Sequence, residues 1–353
     1  MEGTGGPGGV EGIDAPRVTA WLEENVAGAQ GPFEFVLIAG GRSNLTFRVT
    51  GADGTRYALR RPPVSHVLPT AHDMGREHRI ISALGPTPVP VAPALGFCAD
   101  ETVNGRPFYV MGYVDGHIVR DRAQAESALD DHGRRTASED LIDVLVAIHA
   151  VDVDAVGLGD LGRREGYIER QLRRWYGQFL SSIDGRDRKV PVVDEVHALL
   201  AARVPEQGRP ALVHGDYRLD NTMLGPDGRV RAVLDWELCT LGDPLADLGL
   251  LNVYWAESQD QTVALAGVAA TATPGFLSRE EINRRFAARS GRDISELPFY
   301  VAFGYWKLAC IVEGVAARYE GGAMGGDRGS GSESMGQQVE SLAEMARHAV
   351  SQL

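Results

Sequence analysis

Three side chains in the second half of the 353-residue chain have the types and spacing of a reactive centre. Asp216 stands five positions before Asn221 within Leu212-Val213-His214-Gly215-Asp216-Tyr217-Arg218-Leu219-Asp220-Asn221, and a second carboxylate follows in Val233-Leu234-Asp235-Trp236-Glu237. Phosphoryl transfer asks for little covalent help. It asks for a positioned nucleotide, neutralised charge and an oriented attacking oxygen. Asp216 is placed to accept or orient the proton of a substrate hydroxyl. The Asn221 amide oxygen and the Asp235 carboxylate are hard ligands suited to the Mg²⁺ of Mg²⁺-ATP. Between them Gly225-Pro226-Asp227-Gly228 is a turn signal flanked by residues 221–224 and 229–234. The resulting hairpin would fold Asp235 back beside Asn221.

The elements that must position these groups fall into two sets. Asp14 before Ala15-Pro16 predicts a helix with Val18, Trp21, Leu22 and Val26 at helical spacing. Residues 33–39, 45–49 and 57–60, separated by turn signals at 40–44 and 52–54, read as an antiparallel meander. A helix over 73–84 and strands over 89–97 and 107–114 complete this set. From about residue 117 the texture is helical, over 141–149, 168–180, 192–202, 278–320 (interrupted at 291–298) and 337–353. The Gly-rich residues 1–13 are expected to be disordered, and the Gly- and Ser-rich residues 321–336 to form a mobile loop. No internal repeat is visible. The expectation is an α+β chain with a small antiparallel β lobe carrying one main helix (14–113) and a larger, mostly helical lobe (114–353).

Bulk properties remove several function classes. Residues 1–120 carry 12 acidic and 10 basic side chains and residues 121–353 carry 36 and 25, without the concentrated basic face of a nucleic-acid binder. No apolar run approaches the ~18–20 residues of a membrane span, and the N-terminus is not a basic-then-apolar signal. Cys98, Cys239 and Cys310 are dispersed and lack CxxC spacing, which excludes a disulfide framework or zinc site and fits a cytoplasmic protein. The acidic bias would suit a cationic substrate, but most of it reads as a solvated face. Lys189 and Lys307 are the only lysines. His149, at a helix end, reads as a packing histidine.

His214-Gly215-Asp216-Tyr217-Arg218-Leu219-Asp220-Asn221, followed by Leu234-Asp235-Trp236-Glu237, resembles the aminoglycoside phosphotransferase and choline-kinase-like family, whose fold is protein-kinase-like. The first stretch fills the H-x-D-x-x-x-x-N pattern with Gly215 in place of arginine, and the second stands where protein kinases carry Asp-Phe-Gly. The resemblance implies ATP and Mg²⁺ as cofactors and a small hydroxylated acceptor. It makes Asp216 the base and Asn221 and Asp235 the metal ligands, with His214, Asp243 and Asp247 bracing the catalytic loop. It also implies that Gly40, Gly41, Ser43 and Asn44, in a turn between strands, bring backbone N–H groups to the phosphates. Tyr109-Val110-Met111-Gly112-Tyr113-Val114 is similar to the connector that binds adenine, with Met111 and Tyr113 nearest the base.

The family places a lysine on the third strand, paired with a helix glutamate. Here Tyr57-Ala58-Leu59-Arg60-Arg61 has none. Arginine can grip phosphate bidentately. Strand alternation leaves Arg60 and Arg61 open, because a one-residue slip reverses every side chain; the resemblance favours Arg60, with Glu77 as partner. A surface ion pair is the bland alternative.

Leu59-Arg60-Arg61-Pro62-Pro63, Leu68-Pro69-Thr70-Ala71-His72, Arg76-Glu77, Phe276-Leu277-Ser278-Arg279-Glu280-Glu281 and residues 299–309 are similar to the phosphotransferase domain fused to some acyl-CoA dehydrogenases. That branch implies a hydroxyacyl-CoA acceptor, against the aminoglycoside that names the wider family. Tyr305, Lys307 and Arg318 on the late helices are candidates to receive an anionic CoA ester, with Glu237 a further substrate candidate. The second reading is a nucleotide-binding regulatory pseudokinase, supported by the missing lysine. A protein kinase is third, since no Ala-Pro-Glu segment follows Asp235.

Overall fold

The computed structural model describes residues 10–39, 44–64, 73–260, 268–320 and 330–353. The chain divides into two compact units, 1–115 and 116–353.

In the first unit α1 (Ala15–Asn25) starts at Asp14, whose carboxylate accepts the Arg17 N–H at 3.3 Å, with proline in the first turn. One antiparallel sheet contains β1 (Glu34–Ala39), β2 (Leu45–Thr50), β3 (Arg56–Arg61), β4 (Ala94–Cys98) and β5 (Phe108–Gly112), in the order β1-β2-β3-β5-β4. Between β3 and β4 lies α2 (Met74–Leu84), and between β4 and β5 the short α3 (Glu101–Asn104). Period-2 alternation turns Phe47, Val49, Leu59, Phe108 and Val110 onto Val18 and Leu22 of α1. Ile13 belongs to the same core, and its N–H bonds Val10 O at 3.0 Å. Residues 10–13 are therefore part of the fold, contrary to the expected disordered tail; residues 1–9 lie outside the described residues. The strand expected over 89–97 begins only at Ala94, because Pro90 and Pro93 cannot donate to a ladder.

The second unit begins with α4 (Arg122–Ala128), α5 (Asp131–Ala150), α6 (Tyr167–Ile183) and α7 (Pro191–Ala201). Two small antiparallel ladders follow, pairing β6 (Ala211–Val213) with β9 (Thr240–Gly242) and β7 (Thr222–Leu224) with β8 (Val230–Val233). Then come α8 (Pro244–Tyr254), α9 (Arg279–Ser290), α10 (Leu297–Glu320) and α11 (Ser330–Ser351). Helix α5 starts ten residues before the apolar stripe at 141–149. Buried Arg134 and Ser138 lie in its first half, and Arg134 donates to the carbonyls of Pro274 and Ala125. Polar side chains satisfied inside the fold hid that half of the helix from a hydrophobic-period reading.

Two expectations are corrected here. By length and composition α10 would pass for a membrane span, but 72% of its apolar window is buried within the fold, as in a core helix. Helix α11 begins at Ser330, inside the segment expected as a loop to 336, and buries Val339, Leu342, Ala343, Ala346 and Val350. That stripe supplies the packing from which the helix extends N-terminally despite its Gly and Ser content. Residues 321–329 lie outside the described residues.

Candidate active site

Strand β6 delivers the chain into a tight bend at Gly215. Its φ of +85° lies in the left-handed region, and a Cβ there would come within 2.8 Å of Leu238 O. Only glycine fits this turn without displacing backbone. His214, fully buried, uses both ring nitrogens locally: Nε2 lies 2.9 Å from Leu234 O and Nδ1 accepts the Asp216 N–H at 3.3 Å. A carbonyl partner on one side and an N–H on the other require the neutral Nε2–H tautomer. His214 is therefore a brace of the loop, not a proton carrier.

Asp216 projects from that bend with a quarter of its side chain exposed. The Asn221 amide nitrogen donates to Asp216 O at 2.8 Å and to Asp216 Oδ2 at 2.9 Å, so the carboxylate is held by the residue five positions on. The β7–β8 hairpin then turns the chain back, and Leu234 N donates to Asn221 O at 2.8 Å. Asp235 thus begins one residue from the Asn221 backbone. It has φ of +62°, the one positive-φ non-glycine among the described residues. Such a conformation costs of order 1–3 kcal/mol and persists where surroundings impose it.

Asp247, on α8, is the anchor beneath the loop. Its Oδ2 accepts His214 N and its Oδ1 accepts Gly215 N, each at 2.8 Å, and His149 Nε2 lies 3.1 Å from Oδ2. Burial opposes ionisation of Asp247, but His149, His214 and the Gly215 N–H outweigh it and hold the carboxyl below its ordinary range. His149, read as a packing residue, is thereby one residue, Asp247, from the 214–221 loop. Asp243 does not brace the loop directly, contrary to expectation. Its carboxylate caps α8 through Leu245 N at 3.0 Å and accepts the Tyr300 hydroxyl at 2.7 Å.

In the first unit the register pairs Thr46 with Arg60 and Leu45 with Arg61, sending the two arginines to opposite faces. Arg60 Nε lies 3.0 Å from Glu77 Oε2, and Glu77 also accepts Tyr109 OH at 3.0 Å and Asn44 Nδ2 at 2.9 Å. With side chains 14% and 2% exposed, this is a buried pair and not a surface one. Arg61 is tied to the carbonyls of Gly12, Asn104 and Pro62. Met111 lies within β5 opposite Ala58 and Ala94, and the Tyr113 ring sits 4.9 Å below the Arg56 guanidinium. The Gly112 and Tyr113 N–H groups are already bonded to Pro93 O and Arg56 O. Gly40, Gly41 and Ser43 lie outside the described residues.

A profile of the phosphotransferase enzyme family matches residues 34–282. The chain belongs to that family. Mouse acyl-CoA dehydrogenase family member 10 is 34% identical over 327 residues, covering 90% of this chain and 29% of the mouse protein. Chicken acyl-CoA dehydrogenase family member 11 is 35% identical over 313 residues, covering 86% of this chain and 39% of the chicken protein. The chain thus spans less than half the length of these relatives. A crystal structure from Ralstonia eutropha JMP134, provisionally assigned as an aminoglycoside phosphotransferase, aligns with TM-score 0.80 at 32% identity, covering 96% of this chain and 99% of that one. The likeness to a choline/ethanolamine kinase family protein from Mesorhizobium loti, TM-score 0.54 at 18% identity, is one of fold alone. The family is one of phosphotransferase enzymes, and the fold is protein-kinase-like and α+β.

Around Asp216 lie two residues that sequence reasoning did not assign, Arg218 and Tyr254, and one, Lys307, that it assigned to another role. Arg218 lies 3.4 Å from Asp216 Oδ2 and 3.1 Å from Asp220 Oδ1, with its guanidinium 4.7 Å over the Tyr254 ring. Burial works against its charge, but Asp216, Asp220 and Asp235 outweigh burial and raise its pKa. Burial, and then the nearby Asp216 carboxylate, push the hydroxyl of Tyr254, at the end of α8, well above its ordinary range. Lys307 is buried, and its Nζ donates to Gly215 O at 2.7 Å, so it underpins the loop and is not available to a CoA ester. Arg218 stood inside the quoted motif; Tyr254 had no local signal, and nothing near Lys307 in sequence marked Gly215 as its partner. Of the remaining substrate candidates, Glu237 is half-buried two residues after Asp235. Tyr305 is half-buried beside Arg279 and Asp260, and Arg318 is exposed 13 residues further along α10, about 20 Å away. They do not form one anion-binding cluster.

Lys307→Met tests the underpinning. Stranding the buried Gly215 carbonyl should cost about 1–3 kcal/mol, partly offset by removal of a desolvated charge, so the fold should persist with a melting temperature lowered by several degrees. Loss of the Gly215 anchor should lower kcat about tenfold or more with little change in nucleotide KM. Unchanged kcat would show that the lysine only fills space.

Proposed function

We propose that the protein transfers the γ-phosphate of Mg²⁺-ATP to a hydroxyl of a small molecule, with Asp216 taking or orienting that hydroxyl's proton. The orientation of Asn221 carries this reading. Its amide nitrogen is committed twice to Asp216, which leaves the amide oxygen as the atom available to a cation. Among the described residues no group of three or more His, Cys, Asp or Glu could hold a metal unaided. Asn221 and Asp235 offer two hard oxygen donors, a set that fits Mg²⁺ arriving with nucleotide phosphates and waters as its other ligands. Mg²⁺-ATP would supply the phosphoryl group and offset its negative charge. Arg218 adds a fixed positive charge beside Asp216, and Arg60, held by Glu77, is the cation we assign to the nucleotide phosphates. We assign Gly40, Gly41, Ser43 and Asn44 to the same phosphates and Met111 and Tyr113 to the base. The buried Arg60–Glu77 pair supports this reading over a turnover-free nucleotide binder, which rests on the absent lysine.

For the acceptor we favour a hydroxyacyl-CoA, because relatives 34–35% identical are acyl-CoA dehydrogenase family members. Three free, buried cysteines support a reducing, cytoplasmic setting. The deciding experiment is a nucleotide-consumption screen with ATP and GTP against hydroxyacyl-CoA esters, aminoglycosides and amino alcohols, with Asp216→Ala as the blank. Consumption in no arm would leave only the regulatory reading. Asp235→Asn should raise the Mg²⁺ concentration for half-maximal rate about tenfold or more, through loss of a charged ligand. An unaltered Mg²⁺ requirement would remove Asp235 from the metal site.

A further inference from the structure

The second unit holds a cavity of about 570 Å³ that none of Asp216, Asn221 and Asp235 lines. Its wall comes from the end of α5 and the loop after it, the approach to β6, and the end of α9, with Arg164, Arg209 and the neighbouring Arg289 and Arg292 contributed from three separate stretches. Two of these arginines are already paired. Arg164 meets Asp154, and Arg289 forks onto Asp143 at 3.1 and 3.0 Å. Arg292 is different. It is half-buried and donates to Arg209 O at 3.2 Å, and among the described residues no carboxylate lies within ion-pair distance of it or of Arg209. Burial lowers its pKa, Asp243 partly offsets that, and the like charge of Arg209 adds to the depression. Of the wall's acids, Asp154 is taken by Arg164, while Asp152 accepts the Asp154 and Ala155 N–H groups. Two cations without carboxylate partners therefore face this space.

His149, 6% exposed, lines the same cavity, and its Nδ1 is buried without a hydrogen-bond partner. Native interiors rarely leave such an atom unmatched. Because Nε2–H serves Asp247, Nδ1 is a lone pair on the neutral ring or an N–H on the imidazolium. A phosphate group meets either form, through P–OH or P–O⁻, whereas sulfate meets only the second. Asp247 in turn holds His214 N and Gly215 N, so two side chains connect the cavity wall to the catalytic loop.

We propose that this cavity is a second ligand site, for a small phosphate-bearing anion held by Arg292 and Arg209 beside His149, and that the catalytic loop senses its occupancy through His149 and Asp247. The volume is that of a small-molecule pocket, with room for a phosphate monoester as well as free phosphate.

The full chain, with and without a saturating non-hydrolysable ATP analogue, should be titrated calorimetrically with inorganic phosphate, glycerol 3-phosphate and sulfate. The His214 and Gly215 amide resonances are followed in parallel. Saturable phosphate binding that survives the analogue is expected, with weaker sulfate binding and movement of both resonances. Tighter glycerol 3-phosphate than phosphate identifies an ester as the ligand; the reverse order identifies free phosphate. Arg292→Gln should weaken binding about tenfold or more while Arg292→Lys retains part of it. The melting temperature of Arg292→Gln should be unchanged or higher, which separates lost binding from lost fold. Absent saturation, displacement by the analogue, or unchanged affinity in Arg292→Gln overturns the site. Phosphate affinity unchanged in His149→Phe overturns the part given to His149, and binding that leaves both resonances in place overturns the coupling.

Discussion

Asp216→Ala should lower turnover roughly 10²–10⁴-fold, the usual worth of a positioned general base, while nucleotide affinity stays nearly constant. The geometry gives this prediction its shape. Asp216 is partly exposed, and the bonds that fix its backbone run from His214 Nδ1 and the Asn221 amide, neither of which needs the Asp216 carboxylate to stay in place. Asp216→Asn is the sharper companion, because an amide oxygen can still accept from Asn221 Nδ2 while proton acceptance is lost. Steady-state rates with whichever acceptor the screen identifies, beside calorimetric nucleotide titration, check both variants. A rate close to the parent's in either one would remove the base assignment. A rate lost together with nucleotide binding would show that the side chain held the loop and did not act on the substrate.

Asp247→Ala should be the most damaging substitution for the fold of the site. One carboxylate there serves two backbone N–H groups and His149, all buried. Removing it strands three donors, and breaking a buried pair of this kind costs about 3–5 kcal/mol. Asp247→Asn retains one oxygen acceptor and should cost less. The two side chains also differ in acid. The folded-state pKa of Asp247 lies below its ordinary value of 3.8, so its ionised form contributes stability that is fully present above about pH 3.8 and lost as pH falls through the lower folded value. The stability gap between the parent and Asp247→Asn, measured by denaturant unfolding across pH 2.5–6, should therefore be level above about pH 4 and narrow below it. A gap that holds its size to pH 2.5 would contradict the charged role.

The residues legible from sequence share one property: their partners lie close along the chain. Asp216 and Asn221 meet across five residues, and the turn at 225–228 returns Asp235 to Asn221 within a single hairpin, so spacing alone predicts their company. The meander and α2 were legible for the same reason, since period-2 and period-3.6 patterns are local. Legibility failed where polar residues face inward or apolar residues pack far away. Arg134 and Ser138 hid half of α5, and the packing of α11 carries its start back to Ser330, within a stretch expected to be a loop.

The sequence by itself determined which side chains the loop brings together, the two-lobed α+β class and the family to expect, because ordered side-chain types at fixed short spacing leave few alternatives. Only the tertiary structure decided which arginine meets Glu77, because strand register sends Arg60 and Arg61 to opposite faces. It alone placed Asp247, 33 residues from His214, and Lys307, 92 residues from Gly215, beneath the catalytic loop. It also separated Tyr305 from Arg318, which had been grouped as candidates on the late helices to receive a CoA ester. Such contacts join residues distant along the chain by the packing of whole helices, and no periodicity in a single segment records the partner a buried polar group will find.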